Sequence, residues 1–220
     1  MTKTNQQKVK DFLINNGVII VMFILVIYTG FTSDNFFTKN NFMNILMNMS
    51  SRLVIALGIA GCVITAGCDL SAGRMIGFGA CISGMLLQRM DYSGKFFPDM
   101  QPLNVFVVAL IAMLVCAAFG TVTGFFIAYL NVPPFIATLA MMEIVYGIGL
   151  IVTNATPLGG YVEQYTNVSN GKFLGINYLI WIAIIVAAIT WFIFNMTRHG
   201  KYMYAIGGNP QAAEVAGVPV

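Results

Sequence analysis

Few side chains in this sequence can do chemistry, and most of those that can sit beside or inside long apolar runs. The densest group is Gly67-Cys68-Asp69-Leu70-Ser71-Ala72-Gly73-Arg74, which brings an acid, a hydroxyl and a base together. Such a set can exchange hydrogen bonds with a hydroxyl-rich ligand, and Asp69 and Arg74 can equally pair with each other to hold a turn. Ser71 suits the N-cap of a following helix, which would leave free N–H groups facing a polar cavity. A second candidate is Glu143, the only charge between Asp99 and Glu163. A charge near the centre of a bilayer costs about 2.5–3.5 kcal/mol, so Glu143 should face protein or water. It reads either as a coupling or gating carboxylate, or as an acid bonded to a neighbouring helix or lying near the membrane surface.

Other chemistries lack their residues. No acid/base or nucleophile constellation is present, so no catalytic residues are assigned and an enzyme is not expected. His199 is the sole histidine and belongs with Arg198 and Lys201, so no metal site is expected. Cys62, Cys68, Cys81 and Cys116 lie within or beside apolar segments at spacings that fit neither zinc nor a disulfide framework. The Gly-Lys pairs at 94–95, 171–172 and 200–201 are followed by Phe96, Phe173 and Tyr202, not by the Ser or Thr of a phosphate-binding loop. The net charge of +3 comes from cations beside apolar segments, not from a basic run with aromatics, and nucleic acid is not an expected partner.

The elements that must position these groups are membrane helices. Hydrophobic residues make up 58% of the 220-residue chain and charged ones 9%, with a mean hydropathy of +0.81. Soluble domains carry about 25% charged residues, so lipid is a partner and the solvent for much of this chain. Residues 12–33, 100–142, 144–162 and 173–197 contain no Asp, Glu, Lys or Arg. Asn131-Val132-Pro133-Pro134 breaks the longest of these runs into two spans. The expectation is an all-α, polytopic bundle with about six spans, near 14–32, 50–67, 74–90, 104–130, 135–153 and 177–196. Lys3, Lys8 and Lys10 before Val18–Tyr28 look like the start of a signal peptide, but no small-residue cleavage site follows, so this is read as a retained first span.

The second and third spans stand apart, because their charge-free windows cover only 53–68 and 75–88. A pair of short, Gly-interrupted segments points to discontinuous helices lining a transport path, here near residues 67–74; an ordinary tight turn is the plainer reading. Small residues recur at every fourth position (Gly73, Gly77, Cys81 and Cys116, Gly120, Gly124, Ala128), a spacing that lets helices approach closely. Lysines before the first span and Arg198, His199 and Lys201 after the sixth put both ends in the cytoplasm. Residues 154–176 then form an external loop.

The final stretch has the punctuation of a short helix. Asn209 suits the N-cap, Pro210 the first helical position, and Gly217 the left-handed residue past the end. A helix so far below the ~12–15 residues that stand alone in water needs a support. A cytoplasmic partner protein and packing within the chain are the two candidates.

Gln211-Ala212-Ala213, three residues and then Gly217 resemble the coupling-loop signature of ABC importer permeases, with Gln211 at a position usually Glu. Gly67–Gly73 is similar to the Gly-x-Asp-Leu-Ser-x-Gly segment of ribose-type monosaccharide permeases. Asp69–Gly77, Leu87–Asp91 with Phe97–Met100, and Tyr129–Thr138 narrow the resemblance to the galactose/methyl-galactoside permease subunits. The resemblance covers nearly the whole chain.

It implies a permease of the bacterial plasma (inner) membrane, forming a homodimeric pathway with a second permease copy. It also implies a cytoplasmic ABC ATPase that binds ATP, so that the chain holds no cofactor itself. A periplasmic or extracellular sugar-binding protein would deliver a monosaccharide. Residues 1–196 would be the transmembrane permease region, the N-terminal portion of a longer permease, and 197–220 a cytoplasmic coupling loop. In that loop Asn209, Pro210, Gln211, Ala212, Ala213 and Gly217 would meet the ATPase, while Asp69, Ser71, Arg74 and Glu143 are the pathway candidates. Permeases of this family continue past the coupling loop with further helices, so an end at Val220 reads as a fragment, an interrupted product or half of a split subunit. An ion-coupled secondary transporter using Glu143 or Asp69, and a truncated non-transporting remnant, are the alternatives.

Overall fold

The computed structural model describes residues 13–14 and 16–220; Lys3, Lys8 and Lys10 lie outside them. Compact packing divides the chain into Met1–Asn48 and Met49–Val220. The first unit contains α1 (Gly17–Thr32) and the start of α2 (Lys39–Ile64). The second continues α2 and adds α3 (Ala72–Leu86), α4 (Val105–Leu130), α5 (Pro134–Thr153), α6 (Glu163–Asn170), α7 (Tyr178–Met196), α8 (Arg198–Gly208) and α9 (Pro210–Val215). A two-residue hairpin, β1 (Lys172–Phe173) with β2 (Ile176–Asn177), lies between α6 and α7.

Helices α2, α4, α5 and α7 are long and apolar enough to cross a membrane, and α1 and α3 are shorter apolar helices. The polytopic helical reading therefore holds. The second span needs correction: α2 is a full 26-residue helix that begins at Lys39 and carries Arg52 within it. A window that stops at charge underestimates such a helix, because a long Arg side chain can bury its stem and keep its head in a polar layer. Only α3 is short. Its 15 residues reach about 22 Å, against a hydrocarbon core of about 30 Å.

The break between α2 and α3 covers residues 65–71. Gly67 N donates to Cys62 O at 2.8 Å, and Ala66 is left-handed at φ 57°. Helix α4 stops where the sequence predicts, with Asn131 left-handed and Pro134 opening α5. The loop expected at 154–176 instead contains α6 and the β1–β2 hairpin. The hairpin turns through Leu174 and Gly175, both at positive φ, as two-residue turns require.

The core lies among α3, α4 and α5. Phe78 and Ile82 of α3 meet Met141 and Val145 of α5, with Val115 and Phe119 of α4 against them. The Phe78 and Phe119 rings meet edge to face at 5.6 Å. Leu103 N donates to Leu86 O near one end, and Thr138 Oγ1 comes within 3.4 Å of Cys68 O near the other, so α4 runs antiparallel to α3 and α5. Of the small residues expected to mediate this packing, Cys116 makes a close approach, its Sγ 3.6 Å from the Cβ position of Gly79, a glycine outside the fourfold pattern. Gly73, Gly77, Gly120 and Gly124 face open space at their Cβ positions. The fourfold spacing did not locate the close approaches, because it specifies a face of one helix and not what lies opposite.

Candidate functional site

Because α3 is short, its N-terminal end opens into a cavity instead of reaching the end of α4. The cavity, about 280 Å³, is bounded by Cys62 of α2, Thr65, Gly67–Asp69 and Ser71 of the break, Gly120, Thr123, Gly124 and Ile127 of α4, and Pro134 and Thr138 of α5. Gly120 and Ile127 lie roughly 5–15 Å before the end of α4, so the cavity is set below that end.

Asp69 is the one ionisable carboxylate among its lining residues. Its Oδ1 accepts from Ser71 N at 2.9 Å and from Ser71 Oγ at 2.7 Å. Ser71 occupies the N-cap position of α3, but its side chain does not cap the helix. The expectation that it would is corrected: Ser71 keeps an α-region backbone, and its hydroxyl turns back to the stronger, charged acceptor. Thr65 donates to Gly61 O in the last turn of α2, and Thr123 and Thr138 each donate to a backbone carbonyl of their own helix. Their hydroxyl oxygens retain acceptor capacity, and a carboxylate has more acceptor sites than Ser71 fills. The cavity is therefore mostly apolar, with the Asp69 carboxylate and the hydroxyl oxygens of Thr65, Thr123 and Thr138 as its hydrogen-bond acceptors.

Arg74 does not pair with Asp69. Among the described residues its contact is cationic stacking, with the guanidinium carbon 3.9 Å from the centre of the Tyr146 ring. It lines a smaller cavity of about 120 Å³ between α3 and α5, separate from that of Asp69. Glu143 lies on neither cavity. It is exposed on the face of α5 opposite buried Met141 and Val145, beside exposed Ile136, Ile144 and Ile151. The structure thus joins Asp69 and Ser71, puts Arg74 one cavity away, and turns Glu143 outward.

At the other end of α3, Gln88 is completely buried, a feature that the sequence did not signal. Its Nε2 donates to Gly159 O at 3.0 Å, and its Oε1 accepts from Phe96 N at 2.7 Å. Arg89 N donates to Gly160 O, and Val162 N to Leu87 O. Burial, with Tyr165 nearby, raises the pKa of the Tyr161 hydroxyl, which stays protonated and donates to Leu158 O at 2.8 Å.

The C-terminal helices form a second candidate site. Thr197 caps α8, and its Oγ1 accepts from Gly200 N; Arg198, His199 and Lys201 are exposed on the first turn. Asn209 alone separates α8 from α9, and its Oδ1 accepts from Ala212 N at 3.0 Å. Pro210 opens α9, and Gly217, at φ 79°, follows its end. Val218 N donates to Ala213 O and Gly217 N to Glu214 O, closing the last turn as the residue types predict. Ala213 is buried, whereas Gln211, Ala212 and Ala216 are exposed and Val215 is 91% exposed. One face of this short helix is anchored within the chain and the other is open.

Residues 41–220 match the family described as branched-chain amino acid transport system / permease component. The whole chain is 40% identical to the galactose/methyl galactoside import permease protein MglC of Escherichia coli (strain K12), covering 68% of that relative. It is 34% identical to the protein of the same name from Treponema pallidum (strain Nichols), over 96% of the chain and 44% of the relative. Against the ribose import permease protein RbsC of Escherichia coli (strain K12), identity is 31% over 96% of the chain and 63% of the relative. No solved structure matches the chain.

Proposed function

This chain belongs to the branched-chain amino acid transport system / permease component family, and on that footing we propose that it is the membrane permease subunit of an ATP-binding-cassette importer for a monosaccharide. Galactose or a methyl galactoside is the first substrate to test, since relatives that align with the whole chain carry that name. A neutral sugar suits the cavity at Asp69, where hydroxyl donors find acceptors and no fixed cation is needed.

The observation that carries the reading is α9. A six-residue helix capped at both ends, anchored through Ala213 and open through Gln211, Ala212 and Val215, has the form of a small knob for a groove on another protein. The partner is a cytoplasmic ATPase subunit, which binds and hydrolyses ATP. Arg198 and Lys201 at the same end of the bundle favour the cytoplasmic side of the bacterial inner membrane. An even number of crossings then puts the N-terminus on that side too. The region welded by Gln88 faces outward, toward a sugar-binding protein.

Glu143 supports a second copy as a further partner. An acid at the middle of an otherwise apolar, outward helix face is costly in lipid. A second permease copy across that face would replace lipid with protein and a hydrated passage.

The test is affinity purification of the tagged, full-length permease from native membranes. The wild type brings an ABC ATPase with it, and a Gly217→Arg variant, altered just past α9, inserts in the membrane but loses that subunit. ATPase recovery unchanged by Gly217→Arg would remove α9 from the contact.

A further inference from the structure

Among the described residues, α8 meets the last turn of α2, which borders the Asp69 cavity. On one side of that turn α8 lies so close that only glycine fits. A Cβ on Gly207 would fall on the carbonyl oxygen of Ile64 and 2.9 Å from its carbonyl carbon. One turn back along both helices, the Cε of buried Met203 sits 2.9 Å from the Cβ position of Gly61. These obstacles differ in kind. The end of Met203 can swing aside, but the Ile64 carbonyl moves only with the turn of α2 that carries it.

The same turn lines the cavity through Cys62, and Thr65, the first residue past it, lines the cavity as well. The turn is tied to the break that carries Asp69, because Gly67 N donates to Cys62 O and Ala66 N to Val63 O. Asp69 in turn holds Ser71, whose carbonyl accepts from Arg74 N and Met75 N to begin α3. At the far end of α8, Asn209 N donates to Ala205 O while the Asn209 side chain caps α9. No free linker lies between α9 and the Gly207 contact.

We propose that the Gly207–Ile64 contact transmits displacement of α9 to the Asp69 cavity, with the last turn of α2 as the transmitting element. Close-packed interiors pass on shifts instead of absorbing them. A backbone-to-backbone contact also has no side chain whose rotamer could take up the movement. Gly207 and Ile64 are positioning residues here: they touch neither ligand nor partner. The inference rests on the proposed coupling role of α9.

The test uses the complete permease reconstituted in proteoliposomes with its ATPase and binding protein, reading sugar taken up per ATP hydrolysed. Gly207→Ala is expected to lower that ratio at least tenfold while the ATPase stays bound and active. Gly61→Ala, opposed only by the end of Met203, should lower it less than threefold. Gly208→Ala, which faces open space, should leave it unchanged.

A second measurement holds even if Gly207→Ala does not assemble. In a chain with its native cysteines replaced by alanine, Gly61→Cys and Met203→Cys are joined by a short bifunctional reagent. If α8 and the end of α2 move as one body, the cross-linked transporter keeps at least half its uptake. A wild-type uptake-to-ATP ratio in Gly207→Ala, or loss of uptake on cross-linking, overturns the inference while wild-type import upholds the permease reading. A wild-type complex that hydrolyses ATP without import would instead defeat that reading.

Discussion

Helix α3 is held at its two ends by opposite means. At its C-terminal end the Gln88 amide spends both its polar atoms on distant backbone, and Gly160, at φ 69°, lets the Tyr92 ring lie where a side chain would be. At its N-terminal end the tie is local, between Asp69 and Ser71, and beside it lies a cavity of about 280 Å³. A helix fixed at one end and bordered by space at the other can tilt about the fixed end. The difference sets an end held by long-range hydrogen bonds against an end held locally beside a cavity.

Substitutions can break or sharpen that contrast. The largest loss of stability is expected from Gln88→Leu, which leaves the Phe96 N–H and the Gly159 carbonyl buried without partners. Thermal unfolding in detergent should show a loss of about 2–4 kcal/mol; a change within about 0.5 kcal/mol would dissolve the claim of a rigid end. Gly160→Ala combines a left-handed backbone with displacement of Tyr92 and should cost about 1–3 kcal/mol in the same assay.

Asp69→Asn tests the other end. The amide oxygen can still accept from Ser71, so stability should change by less than about 1 kcal/mol. Sugar uptake should nevertheless fall about tenfold, equivalent to about 1.4 kcal/mol. Wild-type uptake kinetics would make this end a structural turn like any other. The smallest effect is expected for Arg74→Gln, which removes the stacking on Tyr146 and should cost about 0.5–1 kcal/mol of stability. A loss above about 2 kcal/mol would mean that the N-terminal end of α3 is pinned after all.

The two ends were also unequally visible in the amino-acid order. Asp69, Ser71 and the surrounding glycines form a contiguous string, so the break between α2 and α3 could be placed from local residue types. The caps of α9 at Asn209, Pro210 and Gly217, and the stop at Asn131–Pro134, are local in the same way. The Gln88 weld is not, because its partner Gly159 lies 71 residues away and nothing near Gln88 announces it. The requirement for glycine at Gly207 is hidden for a similar reason: it comes from Ile64, in another helix. The start of α2 is hard to see in the sequence because polar Lys39–Arg52 forms helix without forming an apolar run. Glu143 was recognised as costly, but only the packing of α5 reveals that it points away from its own chain's core.

The measurement closest to the central claim is uptake of labelled galactose by cells carrying the full-length permease with its native partners. It is made once after ATP depletion with the proton gradient maintained, and once after collapse of the gradient with ATP maintained. An ATP-driven importer predicts that uptake is lost in the first condition and persists in the second. Uptake that survives ATP depletion and vanishes with the gradient would contradict it, and would mark the chain as part of an ion-coupled transporter.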